Sequence, residues 1–456
     1  MAAMPRPTTD TLDSFLRTHA DVARFELYVV DTNGIWRGKW LDRGSIAKLY
    51  EGKVKLPRTT LALDVWGNDI ATIVFADGDS DGLLEPVADG LTLVPWARTP
   101  TAQVQARMLE LDGSPYAGDP RNVLERTVAA LHARSLEPVA AVELEFHLVR
   151  LGADGFVSNL PATTTIHGRP TAGAHTYGIE ALAGFEAVLA DIETVCAAQA
   201  IPTHACIKEA SEAQFEINLD HRADAVRAAD DAVRLKRVVK EVARRHGYAA
   251  TFMAKPFADQ AGNGMHVHVS LRDASGANVF DDGSSHGAPL LKHAVGGLTA
   301  TMAEAMALFA PGPNSFRRFQ PGRHAPMAAT WGFENRTTSV RIPMGDPHAI
   351  RVEHRVAGAD ANPYLVLAAV LAGIDHGIAG GLEPSPPVVG NAYATAAQPL
   401  PRSWPLAIDR FERAAVFARY FDPEFVRLYC ATKRQELETF AAHVTPFEFD
   451  TYVSLA

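Results

Sequence analysis

Val142-Glu-Leu-Glu-Phe-His147 and Met265-His-Val-His-Val-Ser-Leu271 are the stretches that decide the fold. Successive strand residues face opposite sides, so a period of two sorts each stretch into a packed face and a working face. In the first, Val142, Leu144 and Phe146 share one side and Glu143, Glu145 and His147 the other. In the second, His266, His268 and Ser270 project together, backed by Met265, Val267, Val269 and Leu271. Ile350-Arg-Val-Glu-His-Arg-Val356 repeats the pattern with Arg351, Glu353 and Arg355. Lys208-Glu-Ala-Ser-Glu-Ala-Gln-Phe-Glu-Ile-Asn218 aligns Gln214, Glu216 and Asn218, and Glu209 needs a bend or bulge to reach the same side.

Any one of these segments reads as the solvated face of an ordinary amphipathic strand. Four in one chain, mixing carboxylate, imidazole and guanidinium, point instead to a cation site beside a phosphate. Crowded carboxylates repel one another unless cations are present, and Mg²⁺ or Mn²⁺ prefers carboxylate oxygen with an occasional imidazole. Arginine grips phosphate bidentately. No Walker A sequence or GxGxxG follows a strand, so neither a P-loop nor a Rossmann site is supported. Gly262-Asn-Gly264 reads as a simple turn or as a mobile flap beside a ligand.

The remaining chain frames these strands. It has 456 residues, 47% hydrophobic and 21% charged, enough for a large core or two domains. A net charge of -10 leaves no basic excess for nucleic acid and favours small-molecule chemistry. Cys196, Cys206 and Cys430 have no metal or disulfide spacing and read as buried thiols. Met1-Ala-Ala-Met-Pro-Arg-Pro7 lacks an apolar leader, and no uninterrupted apolar run approaches membrane-spanning length, so the expectation is a cytoplasmic protein without a membrane partner.

A helix is expected over 10–20, then a hairpin with its turn at Asn33-Gly34. Short apolar stretches continue to about Leu111, and the turn formers Asp112-Gly-Ser-Pro-Tyr-Ala-Gly-Asp-Pro120 mark a boundary. Beyond it helices are expected after Asp119-Pro120, through Leu182, Phe185, Leu189 and Ile192, over 230–245, and from Asn362-Pro363 to about Gly377.

The motifs Val142-Glu-Leu-Glu-Phe146, Thr251-Phe-Met-Ala-Lys-Pro256, Gly264-Met-His-Val-His-Val-Ser-Leu271, Asn314-Ser-Phe-Arg-Arg-Phe-Gln-Pro-Gly322, Glu334-Asn-Arg336 and Ser339-Val-Arg-Ile-Pro343, with residues 209–216 and 351–364, resemble those of glutamine synthetases. Val356-Ala-Gly-Ala-Asp-Ala-Asn-Pro-Tyr364 most resembles the γ-glutamylpolyamine and γ-glutamylputrescine synthetase branch. The resemblance implies an α+β protein: a small β-grasp-like N-terminal domain (10–112) and a large glutamine-synthetase-type catalytic domain with a curved antiparallel sheet and helices (118–456). It also implies a homo-oligomer, a dodecamer of two hexameric rings.

By the same resemblance, Glu145, Glu209 and Glu216 hold one divalent ion, and Glu143, His266 and Glu353 a second, with Mg²⁺ or Mn²⁺ and ATP as the expected cofactor and cosubstrate. His268 and Ser270 match positions near the nucleotide, and Arg341 and Arg351 its phosphate contacts. Arg318 and Arg355 match contacts to the glutamate carboxylate and the transferred phosphoryl group, which Arg336 flanks. Gly262 falls in the segment that binds the glutamate backbone. The implied reaction is ATP-dependent coupling of L-glutamate to an amine through γ-glutamyl phosphate.

Two departures bear on the amine. Glutamine synthetases hold ammonium with an Asp in Phe-Asp-Gly-Ser-Ser and a Glu in Pro-Gly-aromatic-Glu-Ala-Pro. This chain reads Lys55-Leu-Pro-Arg-Thr-Thr60 and Pro321-Gly-Arg-His-Ala-Pro326, so one acid is missing and His324 replaces the other. A larger primary amine, a polyamine or diamine such as putrescine, is therefore expected, with His324 lining its pocket or taking a proton. The rivals are a monoamine such as ethanolamine, an alkylamine or an aromatic amine; a true glutamine synthetase; and a non-catalytic scaffold. Tyr393, in Asn391-Ala-Tyr-Ala-Thr-Ala396, matches a regulatory tyrosine whose context is otherwise lost.

Overall fold

The structure, a computed structural model, describes residues 8–455 except 75–77, 153, 156, 167–168, 171–172 and 323, and leaves aside the side chains of 159, 165–166 and 169–170. The N-terminal Met1 to Pro7 stretch and Arg323 lie outside the described residues.

The expected hairpin forms. Strand β1 (Arg24–Val30) pairs antiparallel with β2 (Trp36–Asp42), and Gly34 takes the left-handed turn conformation at φ +74°. With β3 (Lys55–Pro57), β4 (Asp81–Leu93) and β5 (Thr101–Leu109) it builds a five-stranded sheet, order β2-β1-β5-β4-β3, whose central β1 and β5 run parallel. This mixed order fits the β-grasp-like expectation. Alternation along β1 serves two cores: Phe25, Leu27 and Val29 pack with Leu12, Leu49, Val104 and Met108, whereas Tyr28 and Val30 face the larger core.

The second sheet grows around one long strand, β6 (Glu137–Leu151). Following it are β7 (Val157–Pro161), a small separate ladder of β8 (Thr165–Ile166) and β9 (Arg169–Pro170), β10 (Thr203–Lys208), β11 (Gln214–Leu219) and β12 (Tyr248–Thr251). Then come β13 (Met265–Arg272), β14 (Trp331–Phe333), β15 (Val340–Ile342) and β16 (Val352–His354). The nine-stranded sheet runs β10-β11-β6-β13-β16-β15-β14, with β7 and β12 also on β6, and only β14 and β15 are parallel. Val142, Leu144 and Phe146 join the main core, which helices Pro120–His132 and Ala225–Arg245 cover. An antiparallel sheet with one packed face leaves the other free for polar chemistry.

Some helices differ from expectation. The helix expected through Leu182 and Ile192 is two, Ile179–Ala183 and Glu186–Ala198, divided at Gly184. That expected over 230–245 begins earlier, at Ala225, where Asp224 caps the amides of Val226 and Arg227. Asp230 and Asp231 look like first-turn acids, but they are buried mid-helix against Arg121, Arg222 and Arg234. Helix Pro363–Gly380 opens with the expected cap, Asn362 accepting from the Tyr364 amide. It alone among the described residues is long and apolar enough to cross a membrane, and 78% of that window is buried inside the protein. Cys206 is exposed on β10, unlike buried Cys196 and Cys430, because β10 is the sheet edge.

Candidate active site

Strand register assembles the acids. On β6 and β11, Glu145 sits opposite Glu216 and Glu143 opposite Asn218. On the other side of β6, Glu143 faces His266 of β13. His268 then faces Glu353 of β16, and Glu353 faces Arg341 of β15. Directly opposed strand residues lie close enough for their side chains to meet. Glu209 arrives by the bend its parity demanded: residues 209–213 form the turn between β10 and β11, closed by the Glu209 amide on the Gln214 carbonyl at 2.9 Å. Lys208 pins the turn through Nζ to the carbonyls of Glu209, at 2.8 Å, and Ser211.

The His266 ring stands among four carboxylates. Nδ1 lies 3.2 Å from Glu143, 3.8 Å from Glu216 and 4.0 Å from Glu353, and Nε2 lies 3.9 Å from Glu145. His268 Nε2 is 3.0 Å from Glu143. The donor atoms of Glu143, Glu216 and His266 all fall within 4.8 Å of one another, as do those of Glu143, His268 and Glu353. Glu143 thus belongs to both groups. His268, assigned by the resemblance to the nucleotide side, offers a nitrogen to the second of them.

The electrostatics identify what this cluster suits. Burial, reinforced by Glu143, Glu145 and Glu209, pushes the Glu216 carboxyl up to about 10. Burial and the charge on Glu145 push Glu209 up to about 7. Burial also works against ionised Glu143, but His266 and His268 win and hold it well below the usual carboxylate range. Glu353 is likewise opposed by burial and drawn down to about 2 by Arg355, the two histidines and Arg341. Carboxylates that raise one another's pKa, interleaved with imidazole, are a donor set for an oxygen-preferring divalent cation, and the residues fit one.

The arginines border the cluster unequally. Arg341 bridges Glu353 at 2.8 Å and Glu334 at 2.7 Å, and Arg355 pairs with Glu353. Buried Arg318 donates to the carbonyls of Val356 at 2.8 Å and Arg355 at 3.4 Å. Arg351 donates through Nε to His268 Nδ1 at 3.1 Å. A cavity of about 470 Å³ opens beside it, with Glu143, His268, Ser270 and Arg351 in its wall. Arg336 and His324 stand apart on exposed loops, Arg336 in the turn between β14 and β15 and His324 at φ +56°.

The Gly262 to Gly264 segment is a pinned turn. Gln214 Nε2 donates to the Gly262 carbonyl at 2.9 Å, Asn263 Nδ2 to the Met253 carbonyl at 2.9 Å, and the Gly264 amide to Glu145 at 2.7 Å. His147, which the alternation placed on the working face, is fully buried and serves the turn instead: its Nδ1 meets Asn263 Oδ1 at 2.8 Å. Burial draws its pKa down to about 4, so the ring is neutral.

Some cavity residues carried no sequence signal. His204, His221 and His348 line the same 470 Å³ space, each isolated in sequence and brought in from a different element or loop. Glu334 was read only as part of a motif, and its partnership with Arg341 is a product of the β14–β15 turn.

The chain is similar to known proteins along nearly its whole length. A family model described as the glutamine synthetase catalytic domain matches residues 117–452. Gamma-glutamylputrescine synthetase PuuA of Escherichia coli (strain K12) is 39% identical over 448 residues, 97% of this chain and 94% of that protein. Glutamate–isopropylamine ligase of a Pseudomonas species is 32% identical over 459 residues, 97% of each. The solved GmaS–ADP complex has a TM-score of 0.85 at 29% identity, over 97% of this chain and 99% of that one. The family match spans every strand that contributes an acid, an imidazole or Arg341 to the cluster, and the chain belongs to the glutamine synthetase family.

Proposed function

We propose that this protein is an ATP-dependent ligase that joins the γ-carboxylate of L-glutamate to a primary amine larger than ammonia, with a diamine or polyamine such as putrescine as the acceptor. The observation that carries this reading is the acid–imidazole cluster of Glu143, Glu216, His266, His268 and Glu353, in a chain whose 55–60 and 321–326 stretches contain no carboxylate of their own. Relatives support an amine larger than ammonia: the one 39% identical is named for putrescine, a diamine, and one of those 32% identical for isopropylamine, a monoamine.

In this reading the glutamate γ-carboxylate attacks the γ-phosphorus of ATP and ADP departs. The amine nitrogen then attacks the acyl carbon, phosphate leaves, and a proton is released. Glu145, Glu209 and Glu216 on one side, and Glu143, His266 and Glu353 on the other, would hold two divalent ions, Mg²⁺ or Mn²⁺, with His268 available to the second group. Such ions would supply charge neutralisation for the triphosphate and the transferred phosphoryl group. Arg341 and Arg351 bind nucleotide phosphates, Ser270 lines the nucleotide cavity, and Arg318 and Arg355 orient the glutamate carboxylate and the transferred group, with Arg336 flanking it. His324 lines the acceptor side.

Thr59 Oγ1 lies 2.6 Å from Asp79 Oδ1, so the acid-free 55–60 stretch borrows a carboxylate from elsewhere in the fold.

The same reading includes an N-terminal domain over 10–112, a catalytic domain over 118–456, a cytoplasmic location and a dodecamer of two hexameric rings. Self-association is supported by Phe447, Phe449, Tyr452 and Leu455, all at least 60% exposed on one C-terminal segment.

The test is ADP release with glutamate, Mg²⁺ and a panel containing putrescine, longer polyamines, monoamines and ammonium. Putrescine or a polyamine is expected to give the highest kcat/KM. A monoamine winner would move the acceptor class, an ammonium winner would overturn the acceptor argument, and no turnover with any amine would leave a scaffold.

The pinned turn gives a second expectation. A Cβ at Gly262 would lie 2.2 Å from the Ala254 carbonyl oxygen and 3.0 Å from Arg318 Cγ, so backbone and arginine must both move. Gly262→Ala should cost roughly 1–3 kcal/mol of stability, the usual range for overpacking. It should also raise KM for glutamate, because Arg318 is displaced. Thermal unfolding together with glutamate saturation curves would check both, and an unchanged KM would remove Gly262 from the glutamate site.

A further inference from the structure

We propose that residues 385–400 form a strap that positions the acceptor side of the site, and that Tyr393 is the positioning residue through which the strap sets the His324 loop. The inference rests on the ligase reading above and extends it to a residue whose motif the reaction leaves unused.

The strap follows the buried helix Pro363–Gly380 and, apart from the single turn Ala392–Ala394, contains no helix or strand. It is nonetheless bonded along its length to β14 with the turn that follows it, and to the loop after His324. On one side, Trp331 Nε1 donates to the Ser385 carbonyl at 2.6 Å, and the Val388 amide returns a bond to the Trp331 carbonyl at 2.8 Å. Asn335 Nδ2 donates to the carbonyls of Val388 at 3.0 Å and Gly390 at 2.8 Å, and the Ala392 amide donates to Thr337 Oγ1 at 3.0 Å. Asn335 and Thr337 flank Arg336, so the strap grips that turn from both ends.

On the other side it grips the loop after His324. The Ala329 amide donates to the Gln398 carbonyl, and the Leu400 amide to the Met327 carbonyl, each at 3.0 Å. Closest to His324, the Tyr393 hydroxyl donates to the Ala325 carbonyl at 3.2 Å. Asn391 directs the tyrosine by accepting from its amide at 3.0 Å.

This last bond falls where the backbone needs it. His324 sits at φ +56°, a left-handed conformation that non-glycine residues hold only when their surroundings impose it. Ala325, the next residue, is 1% exposed and supplies the anchor. The phenol is half-buried. Burial raises its pKa, and Arg318 and Arg355 lie near enough to oppose the rise, which puts the tyrosine between the loop and the guanidiniums that orient glutamate. One side chain therefore anchors the acceptor loop within the field of the guanidiniums assigned to glutamate.

Tyr393→Phe removes the bond and keeps the ring. Three quantities should be compared with the unsubstituted protein: KM for the best amine, KM for glutamate, and positional isotope exchange in ATP with glutamate but no amine, which reads phosphoryl transfer alone. Loss of one neutral hydrogen bond is expected to raise the amine KM about fivefold. Glutamate KM and isotope exchange should stay within about twofold of their starting values, since no bond on the donor side is lost. Backbone amide exchange over 324–329 should quicken, a readout independent of catalysis. An unchanged amine KM, or equal rises for amine and glutamate, would overturn the positioning role while leaving the ligase standing. Absence of amine-dependent turnover in the unsubstituted protein would instead sink the ligase reading and the strap's role with it.

Discussion

Glu143→Gln will lower kcat by roughly a thousandfold without unfolding the protein, because it removes several kcal/mol of charge stabilisation at about 1.4 kcal/mol per decade of rate. Glu143 is the one residue shared by both candidate ligand groups. Its Oε1 accepts from Asn218 at 2.8 Å and lies 3.0 Å from His268, and its Oε2 meets His266 at 3.2 Å. Glutamine fits the same space and can still hydrogen-bond these neighbours, so packing survives while a full negative charge is lost. The substitution also removes the anion that the two imidazoles surround. Mg²⁺ dependence of turnover should therefore shift to much higher concentration, not merely scale down. Titrating Mg²⁺ against initial rate, with thermal unfolding as the fold control, would decide the matter. Near-normal activity would mean that the strand register does not assemble a metal site.

The period-two pattern made the working face legible because side-chain direction along a strand depends only on local geometry. Glu143, Glu145, Glu216, His266 and Glu353 could be placed on that face without knowing any neighbour. Pairing between strands is long-range, and so the proximity of His268 to Glu143 and Glu353 could not be read from either segment alone. His147 shows the opposite failure. It obeys the alternation, yet β6 runs past the site at that point and the ring lies under Asn263, where it props the turn. Parity did predict that Glu209 needed a bend, although not that Lys208 would hold it. The cavity histidines His204, His221 and His348 were invisible because single residues on separate elements leave no periodic trace. Asp230 and Asp231 misplaced a helix start for a related reason: buried arginines, distant in sequence or a turn away, compensate acids that would otherwise mark a first turn.

His324→Glu will raise kcat/KM for ammonium by roughly tenfold, while His324→Gln will not, because a hydrogen bond to a charged group contributes about 1.5–3 kcal/mol and a neutral amide supplies none of that charge. Position 324 is exposed, and solvent screening holds the gain to the lower end of that range. The 55–60 stretch still lacks its own acid, and Asp79 beside Thr59 is already engaged in a hydrogen bond. One carboxylate of the two that hold ammonium in glutamine synthetases is thus restored, and full ammonium use should not return. The backbone sets a further limit. Glutamate at φ +56° is less favoured than asparagine or histidine, so the variant depends on the Tyr393 bond to Ala325 to keep the loop in place. Combining His324→Glu with Tyr393→Phe should accordingly erase most of the ammonium gain, a non-additive result expected when two changes act on one loop. Ammonium and amine saturation curves for the two single variants and the double variant provide the measurement. Equal ammonium gains in the Glu and Gln variants would show that size, not charge, at position 324 sets the acceptor. Independent effects of the two substitutions would separate His324 from the strap that holds it.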